Sequence, residues 1–203
     1  MRLPSDAALV LIDLQLALDD DRWGRRNNPQ AERTIAALLA VWREQGLPIV
    51  HVRHDSVEPD SPYRPDRPSH AFKPESAPRP GEAVVGKSAR SAFVATTLED
   101  TLDRLGATTL VICGALTHNS VEATARHAAD LGYRVFVVAD ACWAVALADG
   151  AGGVWPAELV HRLALACLDG EYGAVVDAET TLAAARLAKA RLRMKAKPGE
   201  TRA

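Results

Sequence analysis

The chain has 203 residues, with 24 Lys and Arg against 26 Asp and Glu and a formal net charge of −2. A chain of that length suits one domain and buries roughly 70% of its unfolded surface without help from a disulfide or a metal. The near-zero charge and an aromatic share of 5% speak against nucleic acid as a partner, whether held by a bulk field or by base stacking.

Ala7 to Asp13 is a continuous apolar run that stops at an acid, as expected of a strand buried on both faces. Residues 29–45 carry helical spacing through Ile35, Leu38, Leu39 and Trp42, and Gly46 supplies a helix stop. Pro48 to Arg53 predicts a second strand. From about Asp55 to Gly86, prolines recur at 59, 62, 65, 68, 74, 78 and 80, so neither a helix nor a central strand runs through. A loop this long predicts a lid or substrate loop, with Tyr63 and Phe72 as contacts.

Ala83 to Val85 predicts a short strand before Lys87, 97–105 a short helix, and Thr109 to Cys113 a buried strand. A helix is predicted over 119–131 with Gly132 as its stop. A fifth strand runs from Arg134 to Ala139 and ends at Asp140. A helix starts near Pro156, a sixth strand covers Gly173 to Val176, and a last helix starts near Glu179. This alternation predicts a single α/β domain over 1–203, a doubly wound six-stranded parallel sheet with helices on both faces. The basic stretch 186–197 reads as a solvated helix end whose cations complement the helix dipole.

In an open parallel sheet, ligands sit beyond the carboxyl ends of the strands. Asp13, Lys87 and Ser120 all fall there, after the first, third and fourth strands, far apart in sequence and brought together by the fold. Ser120 belongs to the first turn of its helix, where free backbone N–H groups and the dipole favour negative charge, as an oxyanion hole requires. The plainer reading of Asp13, Asn119 or Ser120 alone is a helix cap.

The strings LVLIDLQ (9–15), IVHVRHD (49–55), FKPE (72–75), KSARSAF (87–93), VICGALTHNSVEATAR (111–126) and LGYRVFVVADA (131–141) together resemble the isochorismatase-like hydrolases over nearly the whole chain. The resemblance implies a Rossmann-like six-stranded sheet and a homo-oligomer, dimer or tetramer. It implies Asp13 as general base, Lys87 as the group that orients the nucleophile, a cis peptide at Ala115–Leu116, and an oxyanion hole of the Leu116 and Ser120 N–H groups. Typical members hydrolyse C–N bonds of small amides or ureides through a cysteine thioester. Here Ser120 stands where that cysteine is usual. A hydroxyl needs a better-placed base than a thiol does. A deliberate replacement, a natural variant and a non-catalytic, merely binding member all stay open. Isochorismatases proper lack the cysteine and cleave a vinyl ether using the Asp, which keeps that chemistry open as well.

Gln15, Trp23, Phe72, Thr117, His118, Asn119 and Trp143 are the candidate substrate-pocket residues, the aromatics among them suiting a flat or partly apolar substrate. Trp42 and Trp155 read as packing residues. Cys113 and Cys167 read as core, and Cys142 as a buried, inert thiol after the fifth strand. His51 and His54, three apart on a strand, face opposite ways and do not share an ion. Any metal would fall to His54, Asp55 and His70, and the reading adopted is no metal. No G-x-G-x-x-G or P-loop implies an organic cofactor. Three dispersed cysteines, no signal peptide and no apolar run of about 18 residues lead to the expectation of a cytoplasmic protein with no membrane partner and a small-molecule substrate.

Overall fold

The computed structural model describes residues 1–195, with side chains up to residue 188. Of the basic stretch over 186–197, the backbone to 195 is thus described as helix, while the side chains from 189 on lie outside the described residues. Ala8–Ile12 forms β1, every residue of it buried. Hydrogen bonding on both edges, to β2 (Ile49–His54) and β4 (Thr109–Ala115), puts it at the sheet centre, which is why its sequence is apolar without alternation. Between β1 and β2, α1 (Ala31–Gln45) buries Ile35, Leu38, Leu39 and Trp42, and Gly46 ends it in the left-handed conformation at φ 59°. The Trp42 indole N–H donates to the Ala7 carbonyl at 3.0 Å, so its burial leaves no polar atom unpaired.

The chain continues through β3 (Ala83–Lys87), α2 (Leu98–Arg104), β4, α3 (Glu122–Asp130), β5 (Arg134–Trp143), β6 (Leu147–Ala148), β7 (Val154–Trp155), α4 (Ala157–Leu168), β8 (Ala174–Val176) and α5 (Ala178–Lys195). The main sheet is six-stranded and parallel in the order β3-β2-β1-β4-β5-β8. Helices α1 and α5 pack together, as do α3 and α4. This is the predicted doubly wound α/β fold. Its strand order reverses direction between β1 and β4, and the crevice at that switch point is where such sheets bind ligands.

Three elements depart from expectation. β5 does not stop at Asp140 but runs to Trp143, where Cys142 and Trp143 are buried. Asp140 instead turns its carboxylate to the Ala178 N–H at 2.8 Å, capping α5. The β6–β7 hairpin was not foreseen; it is two residues a side, with Asp149 receiving the N–H groups of Ala151 and Gly153 in its turn. Cys167 and Trp155, read as packed, are exposed, Trp155 at 50%. The Pro-rich segment after β2 holds only short 3-10 turns, Pro68–His70 and Pro74–Ser76, until β3 begins.

Candidate active site

The sheet register assembles the site. Ile12 lies opposite both Val52 and Gly114, and His54 lies opposite Lys87. Asp13, His54, Lys87 and the residues after Ala115 therefore emerge at one level on four adjacent strands. Two backbone features sharpen this. Asp13 has φ 55°, a left-handed conformation that Asp tolerates better than most residues, and its N–H still donates to Val52 O at 2.9 Å. Gly114 has φ 126°, and a Cβ there would strike the Ile12 carbonyl, so only glycine lets β4 approach β1 this closely. The Ala115–Leu116 peptide is cis, and a π-helical turn, Thr117–Val121, follows.

Within this frame the Lys87 ammonium donates to Asp13 Oδ2 at 2.8 Å, Ala89 O at 3.1 Å and Ser120 Oγ at 3.2 Å, with His54 Nδ1 at 3.4 Å. The Lys87 side chain is fully buried, and that of Asp13 is 6% exposed. Asp13 Oδ1 is buried and has no partner among the described residues. Burial, then the Lys87 charge, pushes the His54 imidazole below its ordinary pKa, so it is neutral at pH 7. Tyr63 sits edge-on to His54 at 5.3 Å, its phenol pushed well up by burial and by the Asp13 charge.

A cavity of about 210 Å³ opens beside these groups. The predicted residues Asp13, Trp23, Leu116, Asn119 and Ser120 line it. So does Tyr63, the expected contact of the long loop, together with His54, Ser56, Glu58, Ser61 and Arg90, which the sequence does not mark as pocket residues. The strand-end rule that found Lys87 applies equally to His54, its neighbour in register. Lys87 lies beneath, reaching the cavity through Asp13 and Ser120.

Five predicted pocket residues lie elsewhere. The Gln15 side chain is fully buried and clamps backbone: it accepts from His54 N at 2.7 Å and donates to His54 O at 3.1 Å and His70 O at 2.8 Å. Phe72 is held by a bridge to Gln15 and lies edge-on to His51 at 5.9 Å. The Thr117 hydroxyl is hydrogen-bonded with His161 Nδ1 of α4 at 2.8 Å. His118 faces a separate apolar groove with Leu147, Trp155, Leu159 and Leu163, its buried Nδ1 without a partner among the described residues. Trp143 is core, at 1% exposure, with the Arg26 guanidinium 4.4 Å over its ring. The histidines considered for a metal are separated in function. His51 bonds Glu82 at 2.9 Å, His70 bonds Asp55 at 2.7 Å, and His54 turns to Lys87.

The arrangement offers a buried carboxylate with one oxygen that has no partner among the described residues, an ammonium that bridges it to a hydroxyl, and a small cavity that Asp13 and Ser120 both line. Comparison with known proteins agrees with this frame. Residues 7–180 match the isochorismatase domain. The chain is 33% identical over 172 residues to the isochorismatase family protein YrdC of Bacillus subtilis, covering 85% of this chain and 92% of that protein. It is 33% identical over 176 residues to a streptothricin hydrolase of Streptomyces noursei, covering 84% of this chain and 68% of the relative. A crystal structure of an isochorismatase-family protein from Chromobacterium violaceum superposes with a TM-score of 0.88 at 50% identity, covering 91% of this chain and 96% of the other. With its parallel sheet, its switch-point cavity and these relatives, the chain belongs to the isochorismatase family of hydrolases.

Proposed function

We propose that this protein hydrolyses the C–N bond of a small amide or ureide, with Asp13, Lys87 and Ser120 as its reacting group. The observation that carries the reading is the Lys87 bridge, 2.8 Å to Asp13 and 3.2 Å to Ser120, set beside a buried carboxylate oxygen with no partner among the described residues. An ammonium has three donors and no acceptor, so in this ion pair Lys87 does not receive the serine proton. Asp13 Oδ1 is left as the acceptor. Ser120 Oγ attacks the carbonyl carbon, its proton passing to Asp13, while Lys87 supports the developing charge on Oγ. The Leu116 and Ser120 N–H groups receive the oxyanion of the tetrahedral intermediate. Its collapse breaks the C–N bond, and the nitrogen leaves with the proton from Asp13. Water then cleaves the acyl ester, Asp13 taking its proton and returning it to Ser120 Oγ, so that a carboxylic acid and an amine or ammonia are the products.

A second reading draws on the same free oxygen. Asp13 Oδ1 acts directly, taking a proton from the water that attacks an amide, or, when it carries a proton, giving it to the terminal carbon of a vinyl ether so that water adds to the ether-bearing carbon and the resulting hemiketal splits into a ketone and an alcohol, with Ser120 only as a hydrogen-bonding group and no covalent intermediate. The experiment compares the protein with Ser120→Cys and Ser120→Ala, measuring ammonia release from a panel of small amides and ureides and cleavage of a vinyl ether. Activity in the serine protein that Ala abolishes supports serine attack. Activity gained only with Cys supports the amide chemistry with a thiol as its working nucleophile. Vinyl ether cleavage that survives Ala supports the second reading, and silence of all three proteins on every amide and ureide overturns the first.

The reading includes self-association. Trp155, Leu159 and Leu163, exposed at 50%, 40% and 63%, line one groove on β7 and α4. Contiguous apolar surface of this kind, in the groove that His118 also lines, suits a second copy of the chain.

A further inference from the structure

The charges around the cavity do not all cancel inside the protein. Asp13 and Lys87 neutralise each other, and His54 is neutral. Arg90 and Glu58 remain, both exposed at the cavity wall, and neither side chain makes an ion pair or hydrogen bond among the described residues. Arg90 follows Lys87 by three residues and so enters from the β3 end, beside β2, which carries His54. Its guanidinium presents five N–H donors in a planar fork that matches a carboxylate in a bidentate fashion.

His54 adds a donor on the same side. The ammonium of Lys87 has no acceptor, so the nitrogen facing it at 3.4 Å, Nδ1, is unprotonated and the ring proton sits on Nε2. Nε2 has no partner among the described residues. Gln15 grips the His54 backbone at both N–H and C=O, and the ring itself is held between Lys87 Nζ and the edge of Tyr63. Two carboxylates share the cavity with these donors: Asp13, whose charge Lys87 offsets at 2.8 Å, and Glu58, on the Pro-rich segment, whose charge is unpaired among the described residues. The cavity of about 210 Å³ has room for roughly seven water-sized groups, so a scissile amide and one further charged group fill it.

We infer that Arg90 and the Nε2–H of His54 form an anion subsite, so that the preferred substrates are amides or ureides with a carboxylate two or three bonds from the reacting carbonyl. The words amide and ureide rest on the hydrolase reading above; the subsite does not. The test therefore measures binding apart from turnover. In the full chain carrying Ser120→Ala, affinities are measured by calorimetry or NMR titration for succinamate, butyramide and 3-aminopropanamide, which differ in the charge at the far end. Succinamate is expected to bind at least about tenfold more tightly than butyramide, the ordinary gain from a charge-assisted pair. Arg90→Gln removes that advantage, Arg90→Lys keeps part of it, and Glu58→Gln leaves it unchanged or enlarges it. The His54 Nε2 resonance in 15N-labelled protein moves with succinamate and stays with butyramide.

Equal binding of succinamate and butyramide, no measurable binding of either, or an advantage that survives Arg90→Gln overturns the subsite. A preference for 3-aminopropanamide that Glu58→Gln abolishes also overturns it and makes the rim carboxylate the determinant. If succinamate is preferred in binding while neither the unsubstituted protein nor Ser120→Cys releases ammonia from any amide or ureide tested, the subsite stands and the amide-hydrolase reading falls.

Discussion

Replacing Lys87 by Met tests the central cluster directly. The methionine fills most of the lysine's volume but removes a buried charge that serves Asp13, Ala89 and Ser120 at once. With the Lys87 side chain fully buried and Asp13 6% exposed, the change leaves an uncompensated carboxylate whose other oxygen already lacks a partner. Breaking a buried pair by removing one member costs about 3–5 kcal/mol, a large share of the roughly 5–15 kcal/mol that holds a domain together. At a urea slope of about 2–3 kcal/mol per molar, the unfolding midpoint falls by about 1–2.5 M. Asp13→Asn alone also destabilises, because the ammonium then lacks its counter-charge. The double variant has neither orphan, so it is less destabilised than the two losses together imply, with a coupling of about 2–3 kcal/mol. Urea melts of the four proteins at pH 7 followed by circular dichroism measure the cycle. Losses that add within about 0.5 kcal/mol would show that the pair is not coupled, and the argument built on the Lys87 bridge would fail.

Other outcomes follow from the rest of the molecule. Glu82 accepts from Arg43, His51 and the Arg79 N–H, and despite a burial cost these donors hold its carboxyl down at about 2. Its stabilising contribution is present in full above the unfolded value near 4.5 and is lost as pH falls through about 2; acid unfolding curves of the protein and of Glu82→Gln should converge in that window, with about 2 kcal/mol or less between them at pH 7. Burial pushes the Cys142 thiol up to about 12 and raises Cys113 too, whereas Cys167 is exposed, so a thiol reagent at pH 8 titrates one cysteine in the native protein and three in denaturant. Leu163→Glu or Trp155→Glu puts a charge into the exposed apolar face of α4 and β7; light scattering is expected to show a smaller particle than the unsubstituted protein forms, with the melting curve of the subunit little changed.

Much of this molecule is legible in its sequence wherever one physical rule dominates. β1 and β4 are buried on both faces at the sheet centre, so an uninterrupted apolar run identifies them. The rule that parallel sheets bind ligands beyond their strand ends picked out Asp13, Lys87 and Ser120, which the structure brings into contact through one ammonium. The same rule misled at β5. An acid ends β1, but the acid of β5 is a helix cap for α5, and the strand carries on, taking Trp143 into the core instead of the pocket, beside Cys142, which is buried as its sequence position suggests. The distinction depends on a partner 38 residues away, which no local pattern reveals. Two neighbours, His118 and Asn119, were assigned to one pocket, yet one faces the apolar groove and the other the cavity. A π-helical turn decides this: Val121 N–H bonds Leu116 O at 3.3 Å, five residues back, rotating the side chains away from their α-helical directions. Nothing in the composition of Thr117–Val121 announces that extra residue per turn.

The long Pro-rich segment shows where legibility ends and geometry takes over. Seven prolines exclude regular structure but leave open which of its side chains reach the site. Tyr63 and Phe72 are equivalent candidates by composition. What separates them is Gln15, whose amide ties His54 and His70 together and so fixes how the segment passes over the end of β2. Phe72 is caught in the bridge to Gln15 and packs outward against His51, while Tyr63 comes to rest on His54 inside the cavity. Gln15 thus contributes to the pocket without lining it: one fully buried side chain whose three hydrogen bonds set the position of the loop, of the neutral imidazole, and through that imidazole of the Lys87 ammonium. A polar residue buried this deeply is retained only if its hydrogen bonds are satisfied, and satisfying them here requires the loop and β2 to meet in one arrangement.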